Sequence, residues 1–287
     1  MFGGQFHDDS IAVEVPVMRN VAKLCLLITL SLAPLIAASA QSGAKRADTP
    51  TATASNAALP SADQVLKHYD AAIGGRAAWE KLHSRVSKGT IEIPAMNNLS
   101  GTIEVHMKAP DSILLVINVG GAVIRQGFDG TTAWSDDPRN GLRVLTGEEM
   151  EEVKREANFY HALDLQKMYS KMTVTGIEKV RDSDAYVVEA TPVAGGDPEK
   201  LYFDVQSGLE VRSINRRHTA DGSGEFTAEL EDYKEVDGIK LPSTVEQSSA
   251  QNAFTIKFTD IQHNLNLADS QFAKPAAEPA ADPGPKQ

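Results

Sequence analysis

The stretch from Gly101 to Trp134, GTIEVHMKAPDSILLVINVGGAVIRQGFDGTTAW, decides the fold class. Residues 103–107 alternate between apolar and polar, which is the two-residue period of a β-strand with one buried face. The nearly continuous apolar run over 113–119 predicts a strand that is covered on both faces or faces an enclosed cavity. Gly120-Gly121 and Asp129-Gly130 mark turns between strands. The stretch therefore predicts consecutive antiparallel strands.

The same pattern continues on both sides of this stretch. Turn signals such as Ser207-Gly208 and Asp237-Gly238 separate short strands at the spacing of a large antiparallel sheet. Further strands are predicted over 123–128, 131–134, 86–93, 143–145, 172–180, 185–192, 200–205, 209–217, 225–233, 239–247 and 253–261. We therefore predict a mainly β (α+β) protein, in which one large curled antiparallel sheet forms a half-barrel.

Two helical segments are predicted to cover the open side of the sheet. Ser61 and Gln64 have the spacing of a capping box, and Gly74-Gly75 ends the apolar helical pattern that follows. Thr146 and Glu149 repeat the capping-box spacing ahead of a second amphipathic stripe. The helices interrupt the strands at the start and in the middle of the chain.

The first 40 residues are interpreted as an over-called start followed by a secretory signal peptide. After Met18, the basic residues Arg19 and Lys23 precede an apolar run over 24–37, and a small-x-small pattern ends at Ala40. The run is shorter than the roughly 20 residues of a membrane-spanning helix. A buried N-terminal helix or a retained anchor is the alternative. We expect cleavage after Ala40, a periplasmic location and no transmembrane segment in the mature chain.

Composition predicts the domain organisation. Residues 41–60 are rich in Ala, Ser, Thr and Pro, and residues 275–287 in Pro and Ala, so both lack the apolar residues that a core needs. We predict a disordered linker, a single domain over 61–274 and a disordered tail. Cys25 is the only cysteine and lies in the predicted signal peptide, so disulfides and thiolate metal sites are not expected in the mature chain.

Charge and motifs exclude several classes of function. The chain has 28 Lys and Arg against 39 Asp and Glu, and this acidity disfavours binding to nucleic acid and anionic membranes. The histidines lack metal-ligand spacing, and no nucleophile elbow, P-loop or dinucleotide fingerprint occurs. Arg216, Arg217, His218 and Asp221 form either a small polar site or a solvated hairpin end. We predict no catalytic residue, no metal ligand and no cofactor.

Three motifs resemble those of periplasmic proteins related to lipoprotein carriers. They are G-F-D-G-x-x-A-W at 127–134, L-Y-F-D-x-x-S-G-L at 201–209 and Y-x-x-V-D-G-I-K-L-P at 233–242. Their order resembles the LolA/LolB-like and outer-membrane lipoprotein-sorting group, including a module labelled as the C-terminal part of photosynthetic reaction-centre cytochrome c subunits. The resemblance covers nearly all of 61–274. It implies a half-barrel of about eleven strands, with helices closing a cavity that holds acyl chains.

The apolar face of the sheet is either a packed core or the wall of a ligand cavity. The resemblance to lipoprotein carriers implies an arginine that gates the cavity, and Arg125 lies in a predicted strand that suits this role. The candidate ligand-binding residues are Val105, Met107, Leu115, Ile117, Arg125, Trp134, Phe254, Ile256 and Phe258.

Three functions remain open from the sequence. The first is a binding or carrier protein for a lipid, a lipoprotein acyl chain or another hydrophobic ligand, whose partner is the hydrophobic molecule itself or a lipoprotein. The second is a non-catalytic envelope module that presents the sheet to a protein. The third is an unrecognised hydrolase, which requires a polar cleft with a strongly perturbed ionisable group. The sequence makes no prediction of oligomeric state.

Overall fold

The computed structural model describes residues 58–193, 195–219, 222–250 and 253–276. Within these ranges the chain forms one curled antiparallel sheet of thirteen strands, which confirms the predicted sheet and exceeds the eleven strands implied by the resemblance. The strands are β1 (Ser84–Ile93), β2 (Leu99–Lys108), β3 (Ser112–Val119), β4 (Ala122–Asp129), β5 (Ala133–Asp137), β6 (Gly141–Val144), β7 (Tyr169–Val180), β8 (Ser183–Pro192), β9 (Glu199–Asp204), β10 (Glu210–Thr219), β11 (Gly222–Val236), β12 (Ile239–Ser249) and β13 (Ala253–His263).

The sheet consists of two meanders that meet at its centre. Its strand order is β6-β5-β4-β3-β2-β1-β13-β12-β11-β10-β9-β8-β7, so the first and last strands are direct neighbours. In this pairing Arg85 lies opposite His263, and a bulge near Gly89 shifts the register by one residue. A side chain at Gly89 would come within 2.1 Å of the carbonyl oxygen of Lys257, so only glycine fits there.

The edge strands β6 and β7 are joined by the segment that contains the second group of helices. The helices in the described ranges are α1 (Ala62–Ala72), α2 (Arg76–Trp79), α3 (Gly147–Ala157) and α4 (Leu165–Met168). All four contribute apolar side chains to clusters on the concave face of the sheet. The prediction that two helical segments cover this side is therefore confirmed.

The two predicted capping boxes have different outcomes. At the start of α1 the Ser61 N–H donates to Gln64 Oε1 at 2.8 Å, and the Gln64 N–H donates to Ser61 Oγ at 3.3 Å. At the start of α3, by contrast, Thr146 makes no side-chain capping bond. Arg143 on β6 donates instead to both carboxylate oxygens of Glu149, each at 2.8 Å. The second box was a wrong prediction, because the charge-assisted bidentate pair takes the carboxylate that the box requires.

The end of α1 is fixed against the turn between β11 and β12. Gly74 has a φ of +106°, and a side chain there would lie 2.2 Å from the carbonyl oxygen of Gly238. Next to this close approach, the Lys240 N–H donates to the carbonyl oxygen of Ile73 at 3.1 Å. The glycine that was predicted to end the helix thus also allows the helix to dock on the sheet.

The sheet carries apolar clusters on both faces. On the concave face, the helix-covered cluster joins α1, α2 and α4 to β8 and β9, and α3 packs on a separate group around Phe128. On the convex face, one cluster lies around Tyr202. A second, which we call the C-terminal cluster, consists of Val86, Leu114, Leu265, Leu267 and Phe272. The convex face is therefore partly core rather than uniformly solvated.

Candidate ligand site

A third concave cluster lacks any contribution from the four helices of the described ranges, and we call it the helix-free cluster. It contains six of the nine predicted site residues: Val105, Leu115, Ile117, Phe254, Ile256 and Phe258. Its other members are Ile91, Ile93, Met96, Leu99, Ile103, Val119, Ala122 and Ile124. The structure therefore brings residues that are distant in sequence onto one continuous apolar surface.

Strand register explains why these residues meet. Val105 lies opposite Leu115 in the β2–β3 pair, while Ile91 lies opposite Ile256 in the β1–β13 pair. Directly opposed residues of antiparallel strands point to the same face, and residues two apart along a strand share that face. Val105 also packs against the helix-covered cluster, which contains Met107. The seven apolar site residues of β2, β3 and β13 thus share the concave face.

Part of this surface remains accessible although it points into the concavity. Val105, Leu115, Ile256 and Phe258 are only half-buried. Val245 lies opposite Ile256 on the neighbouring strand β12 and is also half-buried. Apolar side chains that stay partly accessible on one face are costly in water and are typical of a place where an apolar molecule or another protein binds.

Arg125 and Trp134 lie on the opposite, convex face. Gln126 of β4 lies opposite Leu115 and points inward, so the side chain of its neighbour Arg125 points outward. Position 127 also faces outward, and so does Trp134, which lies opposite it on β5. Arg125 forms an ion pair with Asp136 at 3.5 Å. These two predicted site residues are therefore not part of the concave surface.

Trp134 is buried on the convex face, between Gly127 and the C-terminal segment. It is 1 % exposed, and its Nε1–H donates to the carbonyl oxygen of Phe272 at 2.8 Å. Its ring covers Gly127, where a side chain would come within 2.6 Å of the indole. The tryptophan after the hairpin turn thus fixes the C-terminal segment to the convex face.

Arg85 is a functional candidate that the sequence reasoning missed. It lies on β1 opposite Met107 of the concave face, and its Nη2 donates to Met107 Sδ at 2.9 Å. The guanidinium carbon is 6.0 Å from the centre of the Phe159 ring. In the described part of the chain it has no carboxylate partner. Burial lowers its pKa to about 10, so the side chain stays cationic at neutral pH.

His263 lies beside Arg85, as its direct partner on β13. The His263 side chain is 1 % exposed; its Nδ1 lies 2.9 Å from Asp237 Oδ2, and its Nε2 is buried without a partner among the described residues. Burial lowers the pKa of His263. The hydrogen bond to Asp237 raises this pKa, whereas the positive charge of Arg85 lowers it further. We assign the neutral tautomer in which Nδ1–H donates to Asp237, which leaves a lone pair on Nε2 unpaired.

A sequence signal for Arg85 existed. The apolar residues Ile91 and Ile93 define the inward row of β1, and counting back by twos from Ile91 leads to Arg85. His263 offered no such signal, because the bulge between Phe258 and Asp260 changes which residues of β13 face inward.

A second polar group lies on the same face, beneath α1. Glu210 lies opposite Phe203, and its backbone carbonyl accepts a hydrogen bond from the Tyr233 hydroxyl at 2.7 Å. Burial, with a smaller contribution from the negative charge of Glu199, raises the pKa of Glu210 to about 8. Glu199 in turn accepts a hydrogen bond from the Tyr169 hydroxyl at 2.7 Å. Glu210 is therefore protonated at neutral pH.

Replacing Glu210 by glutamine is expected to remove a pH-dependent loss of stability. The carboxyl group ionises near its ordinary pKa in the unfolded chain and near 8 in the folded one, so the folded state binds the extra proton between these values. Stability of the wild type should fall by a few kcal/mol as the pH rises from about 4.5 to about 8 and then level off. Urea unfolding across this range measures the slope, and E225Q, at an exposed position of β11, is the control.

An equal pH slope in E210Q and the wild type would show that Glu210 is already ionised in the folded protein at neutral pH. The buried position of this carboxyl group beneath α1 would then not govern its titration.

The described ranges contain neither a metal-binding group nor a membrane-spanning helix. No group of three His, Cys, Asp or Glu side chains is placed to hold a metal ion. No helix in those ranges is both long and apolar enough to span a bilayer.

Comparison with family models and with curated proteins finds no match. Among solved structures, a DUF1329 family protein from Desulfovibrio piger superposes with a TM-score of 0.52 and 12 % identity, over 74 % of this chain and 96 % of that one. The two proteins share a fold. At this identity the likeness shows the fold alone.

Two other solved structures superpose with lower TM-scores. A LolA superfamily protein from Nitrosomonas europaea has a TM-score of 0.48 and 15 % identity, over 75 % of this chain and 99 % of that one. A Vibrio parahaemolyticus domain described as an outer membrane lipoprotein-sorting protein has a TM-score of 0.48 and 12 % identity, over 74 % and 95 %.

The candidate site combines an apolar surface and a polar pair on the concave face of the sheet. The helix-free cluster offers aliphatic and aromatic side chains, several of which are only half-buried. Arg85 and His263 lie at the opposite end of β1 and β13 from Ile93 and Phe254. Such an arrangement can bind a molecule that is mostly apolar and polar at one end.

Proposed function

We propose that this protein binds a lipid, a lipoprotein acyl chain or another hydrophobic molecule on its concave face and carries it without catalysis. The observation that carries the proposal is the group of half-buried apolar side chains in the helix-free cluster, among them Val105, Leu115, Ile256 and Phe258. These four side chains keep part of their apolar surface accessible to a ligand, whereas Ile91 and Ile117 of the same cluster are fully buried beneath them. The resemblance to lipoprotein carriers in the three sequence motifs supports the same function.

The dimensions of the sheet suit an acyl chain. From Arg85 to Ile93 the strand advances eight residues, or roughly 26 Å at the usual rise of a strand. The acyl chains of one leaflet span about half of the roughly 30 Å hydrocarbon core of a bilayer. A single chain of that length therefore fits along β1 and β13 with its whole length on the concave face.

The proposed place of action is the periplasm. This part rests on the signal-peptide pattern before Ala40, which lies outside the described residues, as do the predicted linker up to residue 57 and the tail from residue 277. Export followed by cleavage would release a carrier that moves a hydrophobic group across an aqueous compartment.

The test is to replace both Ile256 and Phe258 with glutamine and to analyse bound molecules. We expect the wild type, purified from a bacterial periplasm and denatured in organic solvent, to release a stoichiometric hydrophobic molecule detected by mass spectrometry. The double variant should lose most of it, because two polar amides cannot replace the apolar contacts. Both side chains are half-buried, so the variant should still fold. V123Q, at an exposed valine on the convex face of β4, is the matched control.

A clean extract from folded wild-type protein that also fails to bind an added long-chain amphiphile would refute the carrier function. The apolar surface would then be a docking site for an envelope protein, and cross-linking in the periplasm should capture that partner. Retention of the ligand by the folded double variant would place the site elsewhere on the molecule.

A further inference from the structure

Within the described ranges, Arg85 forms no ion pair with a carboxylate, so its positive charge has no counter-ion there. Its neighbours on the concave face are the sulfur of Met107 and the ring of Phe159, which stabilise a guanidinium weakly compared with a carboxylate. Holding a charge in such surroundings costs free energy. The fold tolerates this cost at the centre of the sheet, where β1 meets β13.

The second unsatisfied group is next to the first. His263 Nε2 is buried without a partner in the described ranges, although the other ring nitrogen is held by Asp237. Arg85 and His263 are opposed residues of neighbouring antiparallel strands, which places their Cβ atoms about 5 Å apart on one face. A buried polar atom without a partner requires an explanation, and a bound group is one.

The inward row of β1 connects this polar pair to the apolar surface. Ser87 and Gly89 follow Arg85 on the inward row of β1 and carry no large side chain. The row then continues to Ile91, in the helix-free cluster. A chain lying along this row would start at the guanidinium and end among apolar side chains.

We propose that the ligand is an amphiphile with an anionic head group, which Arg85 and His263 bind, while its hydrocarbon chain lies along the helix-free cluster. This inference rests on the proposed function and adds the chemical class of the ligand. The guanidinium donates two hydrogen bonds to the oxygens of a carboxylate, sulfonate or phosphate group. The imidazole donates a third through Nε2–H once it is protonated.

Binding is therefore coupled to a proton. In the free protein His263 faces two charged groups, Asp237 on the turn between β11 and β12 and Arg85 on β1. A bound anion adds a second negative charge beside the ring, which favours the imidazolium. Uptake of one proton on binding makes the affinity for an anion rise as the pH falls through the pKa of the bound state.

The first experiment needs no variant. Calorimetric titration of delipidated full-length mature protein with hexadecanesulfonate and with hexadecanol, both below their aggregation limits, compares equal chains with and without a charge. We expect the sulfonate to bind at least about tenfold more tightly, as a charge-assisted contact provides. Its affinity should also increase from about pH 8.5 to about pH 5.5, a range in which the sulfonate itself does not titrate. Methanesulfonate, the head group alone, should not compete at millimolar concentration.

Two variants then assign the residues. Arg85→Gln should reduce the preference for the sulfonate over hexadecanol to less than about twofold, because the charge-assisted contact is lost. His263→Asn keeps an amide donor near Asp237 and should abolish the pH dependence. Arg125→Gln removes a cation from the convex face and should change neither quantity. Circular dichroism and thermal unfolding confirm that each variant is folded.

Each contrary result has a separate meaning. Equal affinity of the wild type for the sulfonate and the alcohol would overturn the head-group site and leave the hydrophobic carrier standing. Binding of neither molecule would overturn the carrier function itself. Competition by methanesulfonate without binding of the long chain would indicate a site for a free anion, and an unchanged preference in folded R85Q would exclude Arg85.

Discussion

Replacing Trp134 by alanine is expected to lower the free energy of unfolding by about 3–5 kcal/mol while leaving ligand binding intact. The side chain is 1 % exposed, packs over Gly127 and donates to the carbonyl oxygen of Phe272. Its removal opens a cavity between β5 and the C-terminal segment. Because this cavity lies on the convex face, the helix-free cluster keeps its shape. Urea unfolding measures the first effect, and titration with hexadecanesulfonate measures the second.

Trp134→Phe separates the ring from its hydrogen bond. Phenylalanine keeps most of the packing but leaves the Phe272 carbonyl oxygen without its donor, so about 1–3 kcal/mol should be lost. A W134A protein that is as stable as the wild type and no longer binds the amphiphile would show that Trp134 belongs to the ligand site, as the sequence analysis predicted.

The C-terminal segment explains why the convex face needs this tryptophan. After β13 the chain crosses the outer side of the sheet, where Ser84 Oγ donates to the carbonyl oxygen of Leu265 at 2.8 Å. Lys108 Nζ donates to the carbonyl oxygen of Leu267 at 2.9 Å. With Phe272 buried at its end, the segment closes the C-terminal cluster. It thereby stabilises the central strands from the side opposite the proposed ligand.

Much of the fold could be predicted from the sequence, because strand period and turn residues are local signals. Each of the thirteen predicted strand segments overlaps a strand of the structure, and α1 begins and ends at the predicted cap and glycines. The pairing of β1 with β13 joins residues that are far apart in sequence. No local pattern indicates such a pairing, so the polar pair at that junction could not be predicted.

Only part of the candidate site could be predicted, because the local sequence pattern does not show how the sheet curves. A two-residue period shows which residues of one strand share a face, but it does not show which face of the sheet is concave. Phe254 and Ile256 were placed with Leu115 because all are apolar and alternate. Arg125 and Trp134 were placed with them by their position in the motif, and the register of β4 and β5 directs both outward.

The last prediction concerns the opposite end of the concave face, where α1 covers the sheet. Phe203 is completely buried, and its ring meets that of Tyr69 on α1 edge to face, with 5.2 Å between the centroids. Phe203→Ala should cost about 3–5 kcal/mol, since it leaves a cavity in the core and removes the ring contact with Tyr69. Urea unfolding measures the loss.

A second readout shows whether the helix has loosened. Water that enters the space left by Phe203 would solvate Glu210, its neighbour on β10, and lower the pKa of that carboxyl group towards the ordinary value. F203A should therefore lose part of the pH slope that E210Q removes entirely. Phe258→Ala is the matched control, because its half-buried ring lies in the helix-free cluster: it should lose little stability, keep the full slope and weaken amphiphile binding. If F203A lost stability but kept the slope, α1 would still exclude water from Glu210, and the helix would be held mainly by the contact of Gly74 with Gly238.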